Sequence, residues 1–273
     1  MTQHKLGLSG STILSDPTQF SKLFNRPKID HIEIGEFPDE KAFALFLTLY
    51  KTHDSSFGLH SPLYRNQSKY DLLEKVQMDP QKAWANFEKE MVLMKKIGAK
   101  YILVHFPYFH EEKERNANHL IEEGLQKLHA LQNKYKLPIV CEPKLGHNQS
   151  NVGIEALHEF PIETWAKYDL KVCIDIGDYL LATGGQPMAY LKKWQAFIKV
   201  VHLHNVEFHG DKYIWVPVHP SQVNHSSYYE IKDLIIQLAK SSEVYFVFEH
   251  TPHIKPTEKY VNEGIEWVKK LIH

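Results

Sequence analysis

The chain has 273 residues, with 32 Lys+Arg against 33 Asp+Glu and 18 histidines. That balance argues against a broad nucleic-acid or anionic-membrane footprint, and no apolar run approaches the length that spans a bilayer. The start, Met1-Thr2-Gln3-His4-Lys5, lacks a signal-peptide layout, and Cys141 and Cys173 lie too far apart for a CxxC motif, so a cytoplasmic, reduced protein without disulfides is expected.

In chain order, short β-rich apolar runs alternate with longer amphipathic stretches. Strands are predicted at Lys5–Ser9, His31–Ile34, Ser56–His60, Lys100–His105, Pro138–Glu142, Lys171–Asp175, Lys199–His204 and Val244–Glu249. The best helical pattern between them is Pro80–Ile97, opened by Asp79-Pro80 and closed by Gly98, with Trp84, Phe87, Met91, Met94 and Ile97 at helical spacing. A second, Pro256–Ile272, closes the chain. Eight β-then-α units without a linker predict a single (β/α)8 TIM barrel over residues 1–273. The alternative, an open doubly wound sheet, usually carries a Gly-rich phosphate loop after its first strand, and Leu8-Ser9-Gly10-Ser11-Thr12 is not one. Asn205–Ser227, with Tyr213, Trp215 and His219, reads as a long connection, either a lid or a surface excursion.

In a barrel the chemistry sits at the C-terminal strand ends. Those ends offer Glu33, His60, His105, Glu142, Asp175, His202, His204 and Glu249. Side chains alternate faces along a strand, so Leu103 shares a face with His105, Val140 with Glu142, Cys173 with Asp175 and Val247 with Glu249. Apolar packing below then sends the polar tips into the barrel mouth, with Cys141 facing the helices. A mixed His/Glu/Asp set suits a divalent ion such as Zn²⁺ or Mn²⁺, and a cation relieves the repulsion among converging carboxylates. Each member has a plainer reading. A lone histidine at a strand end is ordinarily a hydrogen-bonded core group, and Lys144 can simply pair with Glu142. Glu33 and Glu36 read as structural ion-pair partners or contacts for substrate hydroxyls. Tyr64 reads as a barrel cap or an apolar wall, and Lys144 and Arg65 as solvated side chains or an anion grip.

At these residues the sequence resembles the xylose isomerase-like TIM barrels, the superfamily of sugar phosphate isomerases and epimerases and of endonuclease IV-like proteins. The resemblance is carried by Leu59-His60-Ser61-Pro62-Leu63-Tyr64, Gly98-Ala99 before the strand ending in His105, and Glu142 with Gly146 and Ser150-Asn151-Val152-Gly153. It continues through Cys173-Ile174-Asp175 with Asp178, His202-Leu203, and Phe248-Glu249 followed by Thr251-Pro252. It implies a metal core of Glu142, Asp175, His202 and Glu249, and an additional zinc on His60 and His105 bridged by Glu142, hence one or two ions. It also implies proton transfer by Glu142 and Glu249, with His204 as a substrate group or a support behind the ligands. Two departures stand out. Asp178 occupies the last place of Asp175-Ile176-Gly177-Asp178, where the family has histidine, and Pro217-Val218-His219 lacks the carboxylate of the endonuclease motif, so a third ion is not expected.

Three functions from different classes follow. The first is a divalent-metal-dependent isomerase or epimerase of a small sugar, sugar phosphate or related hydroxy-ketone, with Asp178, His204, His219, Tyr64, Lys144 and Trp215 as substrate-binding candidates. The second is a zinc-dependent phosphoesterase of the abasic-site endonuclease type. The third is a barrel without chemistry that serves as a binding module. The expected partner is a small molecule, with neither nucleic acid nor membrane expected.

Overall fold

The computed structural model describes residues 4–110, 117–210, 212–252 and 255–273. Ten strands occur among them: β1 (Lys5–Ser9), β2 (His31–Ile34), β3 (Ser56–His60), β4 (Ile102–His105), β5 (Ile139–Glu142), β6 (Lys171–Asp175), β7 (Ile198–Leu203), β8 (Asn205–His209), β9 (Lys212–Val216) and β10 (Tyr245–Phe248). Eight of them close into a parallel barrel in the order β1-β10-β7-β6-β5-β4-β3-β2, with helices in the connections. All eight predicted barrel strands are present, with ends that differ by a residue or two. The remaining pair, β8 and β9, is an antiparallel hairpin inside the segment expected to be an irregular connection. Its signal is a turn glycine, Gly210, followed by Lys-Tyr-Ile-Trp-Val, a β-branched and aromatic run. No described helix is long and apolar enough to cross a membrane.

Strand parity builds two cores. Outward residues such as Ile32, Phe57, Ile102, Ile139 and Cys141 pack under the helices, while Tyr101, Leu103, Val140, Cys173, Val200 and Val247 fill the barrel. The barrel filling is thus the apolar layer expected beneath the polar strand ends. Register then sets the site, because His105 lies opposite Glu142 and Asp175 opposite His202 on adjacent strands.

The helix Pro80–Ile97 forms as predicted. The Asp79 carboxylate accepts the Gln81 N–H, Pro80 occupies the first turn, and Gly98 closes the helix at φ 84°. Its buried face, Ala83, Phe87, Met91 and Met94, includes one carboxylate, Glu90. Glu90 accepts hydrogen bonds from Ser61 Oγ (2.6 Å) and the Leu63 N–H (2.8 Å), and so fixes the turn that follows His60. Burial raises its pKa to about 7, against the Ser61 and Leu63 bonds.

The stability consequence has a definite sign. Between the unfolded value near 4.5 and the folded value near 7 the native state binds the extra proton, so Glu90 lowers stability as pH rises through that window. Glu90→Gln carries no such charge. Its stability relative to the parent should improve from about pH 5 to about pH 8 by up to about 3 kcal/mol. Urea unfolding of both proteins across that range measures this, and a pH-independent difference contradicts it.

Candidate metal centre

Six strand-end side chains meet at the mouth of the barrel. Glu142 Oε1 lies 3.0 Å from His202 Nδ1, which is 2.7 Å from Glu249 Oε2. His202 Nε2, on the other side of the ring, lies 2.7 Å from Glu33 Oε1. Glu142 Oε2 lies 3.1 Å from His105 Nε2 and 3.4 Å from His60 Nε2. The His60 and His202 rings stack with centroids 5.6 Å apart. Glu249, one residue past β10, is pinned by its own N–H to the Leu203 carbonyl and by Ser11 Oγ on its carbonyl. Glu33, Glu142 and His202 have no exposed surface.

A second cluster adjoins the first. Lys144 Nζ lies 2.7 Å from Asp175 Oδ2, 2.7 Å from Asp178 Oδ2 and 3.3 Å from Glu142 Oε1. Asp175 Oδ1 accepts from His204 Nε2 at 2.7 Å and from the Asp178 N–H at 3.0 Å, capping the short helix Ile176–Ala182. The expectation that Lys144 is solvated does not hold, because three carboxylates surround its ammonium. Burial works against its charge, but Asp175, Asp178 and Glu142 raise its pKa well above the ordinary lysine value. Burial and the neighbouring Asp175 charge lift Asp178 to about 6.

The donor set fits a divalent ion. Glu142, Asp175, His202 and Glu249 each offer a ligand atom within 4.8 Å of the others, and so do His60, His105 and Glu142. The decisive atom is Glu142 Oε2. It is buried and accepts no hydrogen bond among the described residues, although two imidazole nitrogens approach within 3.4 Å. The distances are those of an ion pair. A cation between them satisfies all three atoms. His105 suits that role, since burial holds its pKa at about 3 despite Glu142 and leaves a neutral ring with a free lone pair. Glu33 forms a further such group with His60, His202 and Glu249.

Above the cluster lies a cavity of about 650 Å³, lined by Ser9, Tyr70, Lys144, Tyr213 and Trp215 among others. Of the six substrate-binding candidates, Asp178, His204, Lys144 and Trp215 line it. Trp215 on β9 reaches it by packing edge-on against His204 at 4.3 Å. Gly177 makes room for both, since a Cβ there would come within 2.3 Å of Trp215 and 2.4 Å of His204. His219 and Tyr64 stand elsewhere. After β9 the chain turns toward the last helix, where His219 caps the turn Pro220–Gln222, bonds Glu263 at 3.1 Å and stacks on Tyr260. Tyr64 packs edge-on against Phe43, behind the cavity wall. Glu249 faces the cavity, whereas Glu142 lies beneath its floor.

The sequence marks neither Tyr70 nor Lys69 as a cavity residue, and it places Glu33 at a strand end without a share in the ion site. Glu33 was read as a structural ion-pair partner or a hydroxyl contact, yet it sits at a strand end like Glu142 and joins the cluster through His202. Tyr70, stacked on His105 at 5.0 Å, lies in the irregular stretch between β3 and its helix, where no periodicity marks it. Arg65 is exposed and donates to the Glu36 and Leu14 carbonyls, tying two cavity loops together.

A family model described as xylose isomerase-like TIM barrel matches residues 13–271. No curated protein matches the chain by sequence. Solved structures do resemble it. An IolI protein with a bound zinc atom is 18% identical, with a TM-score of 0.68 and 98% of both chains covered. The 3-keto-D-glucoside 4-epimerase YcjR from E. coli is 13% identical, with a TM-score of 0.67, over 98% of this chain and 100% of that one. A xylose isomerase-like TIM barrel protein from Mycobacterium smegmatis in complex with magnesium is 12% identical, with a TM-score of 0.65, over 99% of this chain and 97% of that one. At these identities the likeness is one of fold.

The Lys144 cluster has a measurable consequence. Lys144→Met leaves Asp175 and Asp178 buried without their cation and should cost about 3 kcal/mol at neutral pH. The loss should shrink below pH 6, where Asp178 takes up a proton. Chemical unfolding of metal-free protein at the two pH values reads both effects.

Proposed function

Since the chain belongs to the xylose isomerase-like TIM-barrel family, we propose that it acts as one catalytic barrel over residues 1–273, a divalent-metal-dependent isomerase or epimerase. Its substrate in this reading is a small sugar, sugar phosphate or related hydroxy-ketone. The observation that carries the reading is the meeting of Glu142 and Glu249 on His202 Nδ1, at 3.0 and 2.7 Å, directly under a sugar-sized cavity. Glu142, Asp175, His202 and Glu249 hold the ion, zinc or manganese by the chemistry of the set. When bound, a divalent ion polarises a substrate carbonyl and stabilises the charge of an enediolate.

The remaining steps belong to the side chains. Of the two expected proton carriers, Glu249 opens to the cavity and is the one placed to take and return the proton α to the carbonyl. Glu142, beneath the floor, serves the ion. Lys144, kept protonated by its carboxylates, donates to a substrate oxygen at the cavity edge. His204 retains a buried Nδ1 with no hydrogen bond among the described residues, and with Asp178 it offers polar contact to hydroxyl groups. Tyr213 and Trp215 supply an apolar wall for a sugar face. The two buried free cysteines suit a reducing, cytoplasmic setting.

A second reading, zinc-dependent phosphodiester hydrolysis, draws on His60 and His105 at Glu142 Oε2, the makings of a second ion site. Elemental analysis of purified protein separates the two, with one ion per chain favouring isomerisation and two favouring hydrolysis. The isomerase reading predicts that a panel of ketoses and aldoses, incubated in D2O with Mn²⁺, Mg²⁺, Co²⁺ or Zn²⁺, yields at least one substrate that gains deuterium on carbon. Glu249→Gln should slow that exchange by about a hundredfold or more. No exchange with any substrate, or full exchange by Glu249→Gln, would count against it.

A further inference from the structure

The ligand His202 is also the upper end of a hydrogen-bonded chain that runs down through the barrel. From His202 Nε2 the chain passes to Glu33 Oε1 (2.7 Å), and from Glu33 Oε2 to the Tyr101 hydroxyl (2.6 Å). It continues from Tyr101 to His31 Nε2 (3.0 Å) and from His31 Nδ1 to Ser56 Oγ (2.9 Å). Glu33, His31 and His202 have no exposed surface, and Tyr101 is 1% exposed. Around the chain the barrel is filled by Leu103, Val140, Val200 and Val247. A buried carboxylate in such surroundings is costly unless its oxygens are satisfied.

Below His202 the protons in this chain have one consistent arrangement. The 2.6 Å O···O distance between Tyr101 and Glu33 needs a proton between them, and the carboxylate has none to give, so Tyr101 donates. The Tyr101 oxygen then accepts from His31 Nε2–H, which leaves His31 Nδ1 to accept the Ser56 hydroxyl. The competing acceptor for that hydroxyl, the Asp30 carbonyl, is farther away at 3.2 Å and already receives the Ser56 N–H. A neutral His31 agrees with a pKa pushed down to about 3 by burial. Every donor thus points toward Glu33, and both its oxygens are occupied by short, charge-assisted bonds.

We propose that Glu33, braced by Tyr101 and His31, is a positioning residue that keeps a proton on His202 Nε2, so that Nδ1, which faces Glu142 and Glu249, is the nitrogen a metal ion would take. It touches no reacting atom and acts through His202 alone. Carboxylates behind ligand histidines orient the ring and raise its basicity, and losing one typically weakens metal binding 10- to 100-fold. The part about metal rests on the proposed function, while the part about the proton on Nε2 stands without it.

The test uses the whole protein with ¹⁵N-labelled histidine, with His202 assigned by comparison with His202→Asn. The expected result is a slowly exchanging Nε2–H for His202 in metal-free protein that persists when zinc is added and disappears in Glu33→Gln. Competition with a chelator should show zinc held 10- to 100-fold more weakly by Glu33→Gln. Tyr101→Phe keeps the ring volume, serves if Glu33→Gln does not fold, and should weaken zinc binding by about tenfold. Ser56→Ala, at the far end, should leave zinc affinity within about twofold, which separates positioning from a general loss of core structure. An Nε2–H unchanged by Glu33→Gln, or zinc affinity within about twofold of the parent in both Glu33→Gln and Tyr101→Phe, overturns the proposal. If the parent binds no zinc, the metal reading falls, and the Nε2–H signal still decides what Glu33 does.

Discussion

Five carboxylates, Glu33, Glu142, Asp175, Asp178 and Glu249, gather at the mouth of this barrel, and the Lys144 ammonium meets three of them. Most of this charge is buried, so repulsion and desolvation both act on it. Much of the surrounding structure answers that constraint. Four histidines put ring nitrogens against the carboxylates, Lys144 is drawn in from the loop after β5, and the backbone N–H of Asp178 donates to Asp175. Glu33 alone is satisfied entirely from within the barrel, by His202 and Tyr101. Glu142 Oε2, which like Asp178 Oδ2 accepts no hydrogen bond among the described residues, is where a divalent ion would complete the balance.

The loops around this charge carry backbone cost as well. Leu14 and Ser15 after β1, Glu36 after β2, and Gln149 after β5 are non-glycine residues in the left-handed region, at φ of 46° to 63°, and all line the cavity. Each such residue costs on the order of 1 kcal/mol and is retained only where its surroundings over-determine it. Here Arg65 supplies part of that determination by donating to the carbonyls of Leu14 and Glu36, and Ser15 Oγ donates to the Gly35 carbonyl. The mouth is therefore shaped by side chains gripping backbone rather than by regular structure.

This division explains what could be read in the sequence. Period-2 strands and capped helices are local patterns, so the barrel, the inward facing of Cys173 and the helix Pro80–Ile97 were legible, and with them the strand-end positions of His60, His105, Glu142, Asp175 and His202. The contacts of Lys144 were not, because a lysine two residues past a strand looks the same whether it meets water or three carboxylates. His219 and Tyr64 failed as cavity residues for a related reason. They lie on loops whose course is set by Tyr260, Glu263 and Phe43, residues remote in sequence. The hairpin was legible in principle from Tyr213-Ile214-Trp215-Val216, yet a barrel already complete with eight strands gave no reason to look for more.

That hairpin begins at Asn205, directly after His204 and three residues past His202. The residues that would shape a substrate's surroundings and those that would hold an ion are thus spliced into one short length of backbone. Trp215 leans on His204, and His204 holds Asp175 at 2.7 Å, so a change of hairpin sequence that moves Trp215 also loads a carboxylate of the cluster. On the proposed function, selectivity for the guest and affinity for the ion would be coupled, and a change in β8 or β9 made for one would alter the other.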